Sequence, residues 1–287
     1  MKPLWVAQRT SGSLLRKAFP VRKSDTHKGD YGRVLLICGC TEYTGAPVLA
    51  ARAAQRSGSG LIYLAVPEKI HSIVASKLDF AIVIPLPCDT EGRFSTAALP
   101  RLLELLRRMD ACLMGPGLGR SFELDQLVSA IISNCEVPLV LDADGLNAVS
   151  LHMDVLREAA CPIVLTPHEG EFSRLTKDLC PDRVAGAMML SSDTKCLVLR
   201  KGHETIITDG SKIYVNRTGN PGMAAGGSGD VLAGILVSIL GRGIDPLDAT
   251  AAAAWLHGAA GDVCAGKMGE YAMGPSDLIE ALQELLP

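Results

Sequence analysis

The chain has 287 residues, 48% of them hydrophobic and 21% charged, with a formal net charge of −3. That length and apolar content support a sizeable core and exclude a disordered protein, while the near balance of charge excludes the basic field that draws nucleic acid or an anionic membrane. Any anionic ligand must be held locally.

Residues 1–24 carry five Arg/Lys after Lys2 but lack the continuous apolar core of a secretory signal, so they read as a basic lead-in to one domain over residues 25–287. No apolar run approaches the ~20 residues of a membrane span, and the expectation is a soluble, cytoplasmic protein. From residue 33 onward short runs rich in Val, Ile and Leu recur: RVLLICG (33–39), LIYLAVP (61–67), FAIVIPL (80–86), ACLMGPG (111–117), PLVLDADG (138–145), PIVLTPHEG (162–170) and KCLVLRKG (195–202). They are continuous rather than alternating, which marks strands buried on both faces of a parallel sheet. Helical patterns at 45–57, 96–108, 121–134 and 181–192 separate them, and the alternation predicts an α/β class. After residue 202 come two short β runs, ETIITDG and SKIYVN, joined by an Asp-Gly turn signal. Helices at 228–241, 246–265 and 275–285 complete the chain, the Ala-rich part of the second, 249–260, suiting either core or interface. No C-x-x-C or H-x-x-x-H pair occurs, so the nine cysteines read as reduced core thiols and no structural metal is expected.

The loops after these strands matter more than the strands. GPGLG, DADGLN, TPHEGE and KGHET each follow one, and in open parallel sheets ligands bind beyond the carboxyl ends of the strands. The site is therefore placed along that edge. Asp142 and Asp144 in DADG fit a metal pair or, equally, turn formation and helix capping.

In GNPGMAAGGSGDVLAGILVSIL, residues 219–240, small loop formers run into an apolar helix with one acid at the join. Gly226, Gly227, Ser228 and Gly229 can turn successive N–H groups into one concavity, to which the positive end of the helix adds, making a phosphate cradle. The stretch is neither a P-loop nor a dinucleotide fingerprint. Asp230 fits a first-turn acid that stabilises the helix dipole by about 0.3–1 kcal/mol. A carboxylate beside a phosphate cradle, however, repels the anion it adjoins. The conflict disappears if Asp230 takes the proton of a hydroxyl that attacks a bound phosphoryl group.

G-x-G-D at a helix N-terminus resembles the anion hole and base of ribokinase-like small-molecule kinases. Seven motifs in order narrow the match: HKGDYGRVLLICG (27–39), YTGAPVLAARAAQRSGSGLIYLAVP (43–67), GPGLGR (115–120), VLDADGLNAV (140–149), LTPHEGEFSRL (165–175), LRKGHETIITDG (199–210) and NPGMAAGGSGDVLAGIL (220–236) closely resemble the NAD(P)H-hydrate dehydratase family, from about residue 25 to the end.

The resemblance implies a three-layer α/β/α ribokinase-like fold around a largely parallel sheet. It implies a repair lyase that returns the hydrated S-epimer of NADH or NADPH to the cofactor by phosphorylating the C6 hydroxyl and eliminating phosphate, with ADP, rather than ATP, consumed to AMP. Carried over by motif, Asp230 contacts the hydrate as base; Ala46, Gly119 and His168 contact the hydrated dinucleotide; Lys201, Gly202, His203, Glu204, Thr205 and Gly229 bind the nucleotide. Glu171, last residue of an N-x-x-E-like element written here H-x-x-E, organises Mg2+ and phosphate through water. The alternatives for these positions are plain structural ones: a turn glycine at 119, helix filler at 46, a satisfied polar residue at 168, a first-turn acid at 171 and a solvated charge at 201. The resemblance further implies a homo-oligomer, a tetramer among the possibilities, and a separate NAD(P)H-hydrate epimerase acting in the same pathway, because no fused epimerase domain is visible. Cys38-Gly39-Cys40 departs from the small residues many relatives carry after the first strand. Two rivals share the motif chemistry: a vitamin kinase of the same fold, acting on hydroxyethylthiazole or hydroxymethylpyrimidine, and a nucleotide-binding sensor without turnover.

Overall fold

The computed structural model describes residues 7–177, 180 and 182–287; the first six residues of the lead-in, and position 181 of the helix predicted over 181–192, lie outside the described residues. Ten strands form one sheet: β1 (Ala7–Arg9), β2 (Arg33–Ile37), β3 (Leu61–Pro67), β4 (Ile82–Leu86), β5 (Ala111–Met114), β6 (Leu139–Leu141), β7 (Ile163–Leu165), β8 (Leu197–Arg200), β9 (Thr205–Thr208) and β10 (Ile213–Asn216). Their spatial order is β1-β10-β9-β8-β7-β6-β5-β2-β3-β4. Every pair is parallel except those that β9 makes with β8 and β10.

The helices are α1 (Ser13–Ala18), α2 (Gly45–Arg56), α3 (His71–Ala75), α4 (Leu99–Leu106), α5 (Phe122–Asn134), α6 (Asp144–Val149), α7 (Asp154–Arg157), α8 (Glu169–Thr176), α9 (Arg183–Thr194), α10 (Ser228–Leu240), α11 (Pro246–Met268) and α12 (Pro275–Ala281). They cover both faces of the sheet, which is why its strands read as unbroken apolar runs. Val34 and Leu36 of β2 pack with α2, α10 and α11 on one side, while Leu35 and Ile37 pack with α4 and α5 on the other. The same split places Leu113 and Val140 in the first core and Met114 and Leu141 in the second. This is the three-layer α/β/α arrangement expected. Ala249, Ala251–Ala254 and Ala260 lie in the first core, so the Ala-rich stretch of α11 is interior packing.

Several boundaries differ from the sequence reading for local reasons. The run 138–145 stops as a strand at Leu141 because Ala143 turns to φ 49°, ψ −117° and Asp144 opens α6. The run 162–170 stops at Leu165, because His168 caps α8. The predicted helix 96–108 is a 3-10 turn, Thr96–Ala98, followed by α4, and α11 extends three residues past 265. Part of the lead-in is built into the fold: β1 pairs with β10, and Leu14, Leu15 and Ala18 of α1 are buried in the first core.

Candidate functional site

The ends of β2, β5, β6, β7 and β8, the start of β9 and the end of β10 all reach one edge of the sheet, and α10 begins there. Gly227 caps α10 in the left-handed region, φ 98°, and a Cβ on it would sit 2.6 Å from Leu49 Cδ1, so glycine is required for the turn. Gly226 faces open space. Ser228 is buried. From there α10 is interior on nearly every side, with Asp230 its one acid.

Around the start of α10 lies a polar network that the sequence did not display. Lys201 Nζ is 2.8 Å from Asp142 Oδ1 and 3.8 Å from Glu171 Oε2, and both carboxylates are nearly fully buried. Thr166 Oγ1 donates to the same Asp142 oxygen at 2.7 Å. A Cβ placed on Gly229 would lie 3.6 Å from Lys201 Nζ and 3.8 Å from Asp142 Oδ2, so the ammonium stands beside the first turn of α10. Burial, then repulsion from Asp142, pushes the Asp230 carboxyl up to about 7; Lys201 opposes this and Asp144 adds to it. The Cys38 thiol just past β2 is pushed well up, chiefly by burial and also by Asp230 and Asp142. An acid poised near neutrality at a helix N-terminus can take a proton from an alcohol.

Asp142 and Asp144 bond to different parts of the protein. Asp144 Oδ2 accepts from Gly119 N at 2.9 Å and its Oδ1 from Asn147 Nδ2 at 3.2 Å, so it fixes the GPGLG loop. The metal-pair alternative for DADG gives way to an ion pair and a loop anchor. Between them Ala143 is held at positive φ, and Gly115 must be glycine because a Cβ would lie 1.8 Å from the Asp142 carbonyl oxygen. Gly117 brings that loop against α2: its Cβ would stand 3.1 Å from that of Ala46. Ala46, Gly119, Asp144 and Asp230 therefore border one stretch of the sheet edge.

On the other side of α10's first turn is a cavity of about 910 Å³. His168, Lys201, Gly202, His203, Thr205, Ser228 and Gly229 line it. Asp230, Ala46, Gly119 and Glu171 do not, and neither does Glu204, whose carboxylate turns to Arg217 Nε at 2.8 Å. His168 and Glu171 form a reciprocal cap on α8: His168 Nδ1 accepts from Gly170 N and Glu171 N, and Glu171 Oε2 accepts from His168 N at 2.8 Å. The structural alternatives for both are thus realised, while His168 still faces the cavity. Among the described residues no group of three or more His, Cys, Asp or Glu could hold a metal ion. The acids present, Glu171 and the free Oδ2 of Asp142, suit a Mg2+ carried by phosphate and water rather than a protein cage.

Two contributions escaped the sequence reading. The loop from Asn216 to Met223 forms the far wall, lying so close to α11 that a Cβ on Gly258 would stand 2.3 Å from Thr218 Oγ1. Arg183, from α9, donates to the carbonyls of Lys201 (3.1 Å) and Glu204 (3.2 Å) and to Glu169 Oε1 (2.8 Å), clamping the KGHET loop at both ends. Arg183→Ala is expected to raise the KM for nucleotide about tenfold with kcat little changed, and lysine, lacking the fork, should not restore it. Unchanged KM in steady-state titrations would remove the clamp's role.

An acid near neutrality in the first turn of a helix whose N-terminus adjoins a cavity, at the carboxyl edge of a three-layer α/β/α sheet, places the protein in the ribokinase-like class. The chain belongs to the NAD(P)H-hydrate dehydratase family, whose profile matches residues 34–284. It is 42% identical over 277 residues to a bifunctional NAD(P)H-hydrate repair enzyme of Moorella thermoacetica, covering 94% of this chain and 52% of that one, so it spans about half the length of the curated relatives it matches. Among solved structures, a ribokinase-like superfamily protein from Enterococcus faecalis superposes with a TM-score of 0.84 at 26% identity, covering 100% of this chain and 98% of the other. An ADP/ATP-dependent NAD(P)H-hydrate dehydratase from Bacillus subtilis, co-crystallised with ATP and Mg2+, gives 0.81 at 26% identity over 97% of each.

Proposed function

We propose that the protein dehydrates the S-epimer of hydrated NADH and NADPH at the expense of a nucleotide, restoring the reduced cofactor. The observation that carries this is Asp230 in the first turn of α10, directly after the cavity-lining Gly229 and within the influence of Asp142, Lys201 and Asp144. The nucleotide occupies the cavity, its terminal phosphate against the amides of Gly226–Gly229, with Lys201 Nζ beside them. The hydrated nicotinamide lies over Ala46, Gly119 and the His168 end of α8. Asp230 takes the C6 hydroxyl proton as that oxygen attacks the terminal phosphorus, and the bond to the leaving phosphate oxygen breaks. The amides and Lys201 stabilise the charge on the group in transit. Expulsion of the C6 phosphate, a far better leaving group than hydroxide, with the adjacent C5–H bond giving its electrons to the new C5–C6 double bond and its proton to water, then regenerates the ring. Mg2+, when bound, would neutralise phosphate charge, and Glu171 and Asp142, the two acids beside Lys201, would be the residues to hold its waters.

ADP is the preferred donor, giving AMP and phosphate; the Bacillus subtilis neighbour is described as ADP/ATP-dependent. The bifunctional naming of the Moorella relative supports an epimerase in the same pathway, and a homo-oligomer such as a tetramer is the proposed assembly. No helix among the described residues is long and apolar enough to cross a membrane, and all nine cysteines are free, which agrees with a place in the cytoplasm.

Incubation with hydrated NADH and either nucleotide tests the proposal. Recovery of the reduced-nicotinamide absorbance, faster with ADP, is expected. Release of a stable phosphorylated alcohol would point to a vitamin kinase instead, and no phosphate release at all to a sensor.

A further inference from the structure

Between β4 and the 3-10 turn at Thr96–Ala98 the chain makes a tight excursion, CDTEGRF (88–94), that none of the motifs above includes. Its shape is set locally. Asp89 Oδ1 accepts from Glu91 N and Arg93 N at 2.9 Å each, Asp89 N donates to Arg93 O at 2.8 Å, and Gly92 supplies the left-handed step, φ 78°. Cys88 pairs with Phe94 in an antiparallel bridge, and Phe94 is buried in the second core, so the hairpin is rooted in the fold.

The tip leans over the sheet edge. A Cβ on Gly92 would stand 1.8 Å from Thr41 Oγ1 in the loop between β2 and α2, and Lys69 Nζ donates to the Thr90 carbonyl. Arg93 reaches the GPGLGR loop itself. Its Cδ and Cγ would lie 3.2 and 3.3 Å from a Cβ on Gly119, and its Nη1 donates to the Arg120 carbonyl at 2.9 Å. Two acids of the same hairpin brace the guanidinium: Nε donates to Asp89 Oδ2 at 2.8 Å, and Nη1 stands 2.9 Å from Glu91 Oε2. Only 23% of the Arg93 side chain is exposed, so the contacts are partly shielded from water.

What Arg93 holds is a loop with little conformational preference of its own. Gly115, Gly117 and Gly119 all take positive φ, at 139°, 65° and 75°, and glycine backbone loses the most freedom on ordering. Two side chains fix its far end. Asp144 accepts from the Gly119 N–H, and Arg93 donates to the carbonyl of the next residue. The arrangement parallels the hold of Arg183 on the KGHET loop.

We infer that Arg93 is a positioning residue for the hydrated dinucleotide: by fixing the Arg120 carbonyl and packing its stem on Gly119, it keeps the Gly119 backbone in the form that meets the substrate. The inference rests on Gly119 bordering the hydrate, as proposed above. It gives the two co-substrates separate arginine clamps, so that either can be loosened without the other.

The test is steady-state kinetics with hydrated NADH and ADP varied in turn, for the wild type, Arg93→Ala, Arg93→Lys and Arg183→Ala. Arg93→Ala should raise the KM for hydrated NADH about tenfold, because the loop must then be ordered as the substrate binds, while kcat and the KM for ADP stay within about twofold. Arg183→Ala should show the reverse pattern. Lysine keeps the charge but has no fork with which to hold Asp89, Glu91 and the Arg120 carbonyl together, so it should restore little. Amide hydrogen exchange over residues 115–120 should quicken in Arg93→Ala. A KM for hydrated NADH that does not move overturns the inference, and so does one that rises together with the KM for ADP, the result that a general loosening of the fold would give. If Arg93→Ala fails to fold, the lysine variant decides by the same two constants. A wild type that converts no hydrated NADH with either nucleotide removes the proposed function instead, and the inference with it.

Discussion

Replacing Asp230 by asparagine is expected to lower turnover by about 10²–10⁴ while nucleotide affinity stays within about twofold of the wild type. Asparagine is nearly isosteric and keeps the first turn of α10 in place, so the nest at Gly226–Gly229 survives the change. What it removes is the one carboxylate beside that nest which can take the alcohol proton. It also removes a negative charge from an anion site, so nucleotide binding should, if anything, strengthen slightly. Turnover within a factor of two of wild type, measured with hydrated NADH and saturating ADP, would strip Asp230 of its role.

The same residue sets the pH dependence. With its pKa pushed up to about 7, Asp230 is half protonated near neutrality, and only the ionised form is a base. The rate constant kcat/KM should therefore fall about tenfold for each unit of pH below that value and level off above it. Asp142→Asn removes the repulsion that is the second cause of the shift, so the falling limb should move to lower pH. Stability runs the opposite way. A carboxyl whose folded pKa lies above its unfolded one contributes stability that is complete below about 4 and is lost as pH rises through about 7. The group is thus most costly to the fold at the pH where it works, and Asp230→Asn should unfold later than the wild type above neutrality.

How much of this could be read from the sequence follows from where each signal lies. Burial on both faces left β2, β5, β6 and β7 as continuous apolar runs, so the layers and the parallel sheet were legible. The strand β1 was not, since Ala7, Gln8 and Arg9 are all exposed and its pairing with Ile213–Val215 is a long-range contact. The short helices α6 and α8 begin in strand-end loops whose polar residues look the same whether they cap, turn or bind. Gly229, Asp230 and Lys201 could be singled out as candidates because local spacing or motif likeness marks them. The clamp from Arg183 spans 18 residues to Lys201, and the Asp142 pairing spans 59, so no window of sequence contains either.

The Lys201–Asp142 pair supplies the second large effect. Lysine 201 is only 20% exposed and Asp142 2%, so their attraction acts in a medium far less polar than water. Lys201→Met would leave Asp142, and Glu171, whose Oε2 lies 3.8 Å from the ammonium, as buried acids without their cation, a change that costs about 3–5 kcal/mol where one partner of a buried pair is removed. The expected result is a large loss of stability in denaturant unfolding. Adding Asp142→Asn removes the stranded charge, so the double variant should recover most of that loss, short of the part owed to Glu171. Activity should not recover with it: the ammonium beside Gly229 is still missing, and the transferred phosphoryl group loses that stabilisation whatever the fold's stability. Recovery of both together would mean that Lys201 only neutralises Asp142, whereas a single variant as stable as the wild type would mean that water reaches the pair and screens it.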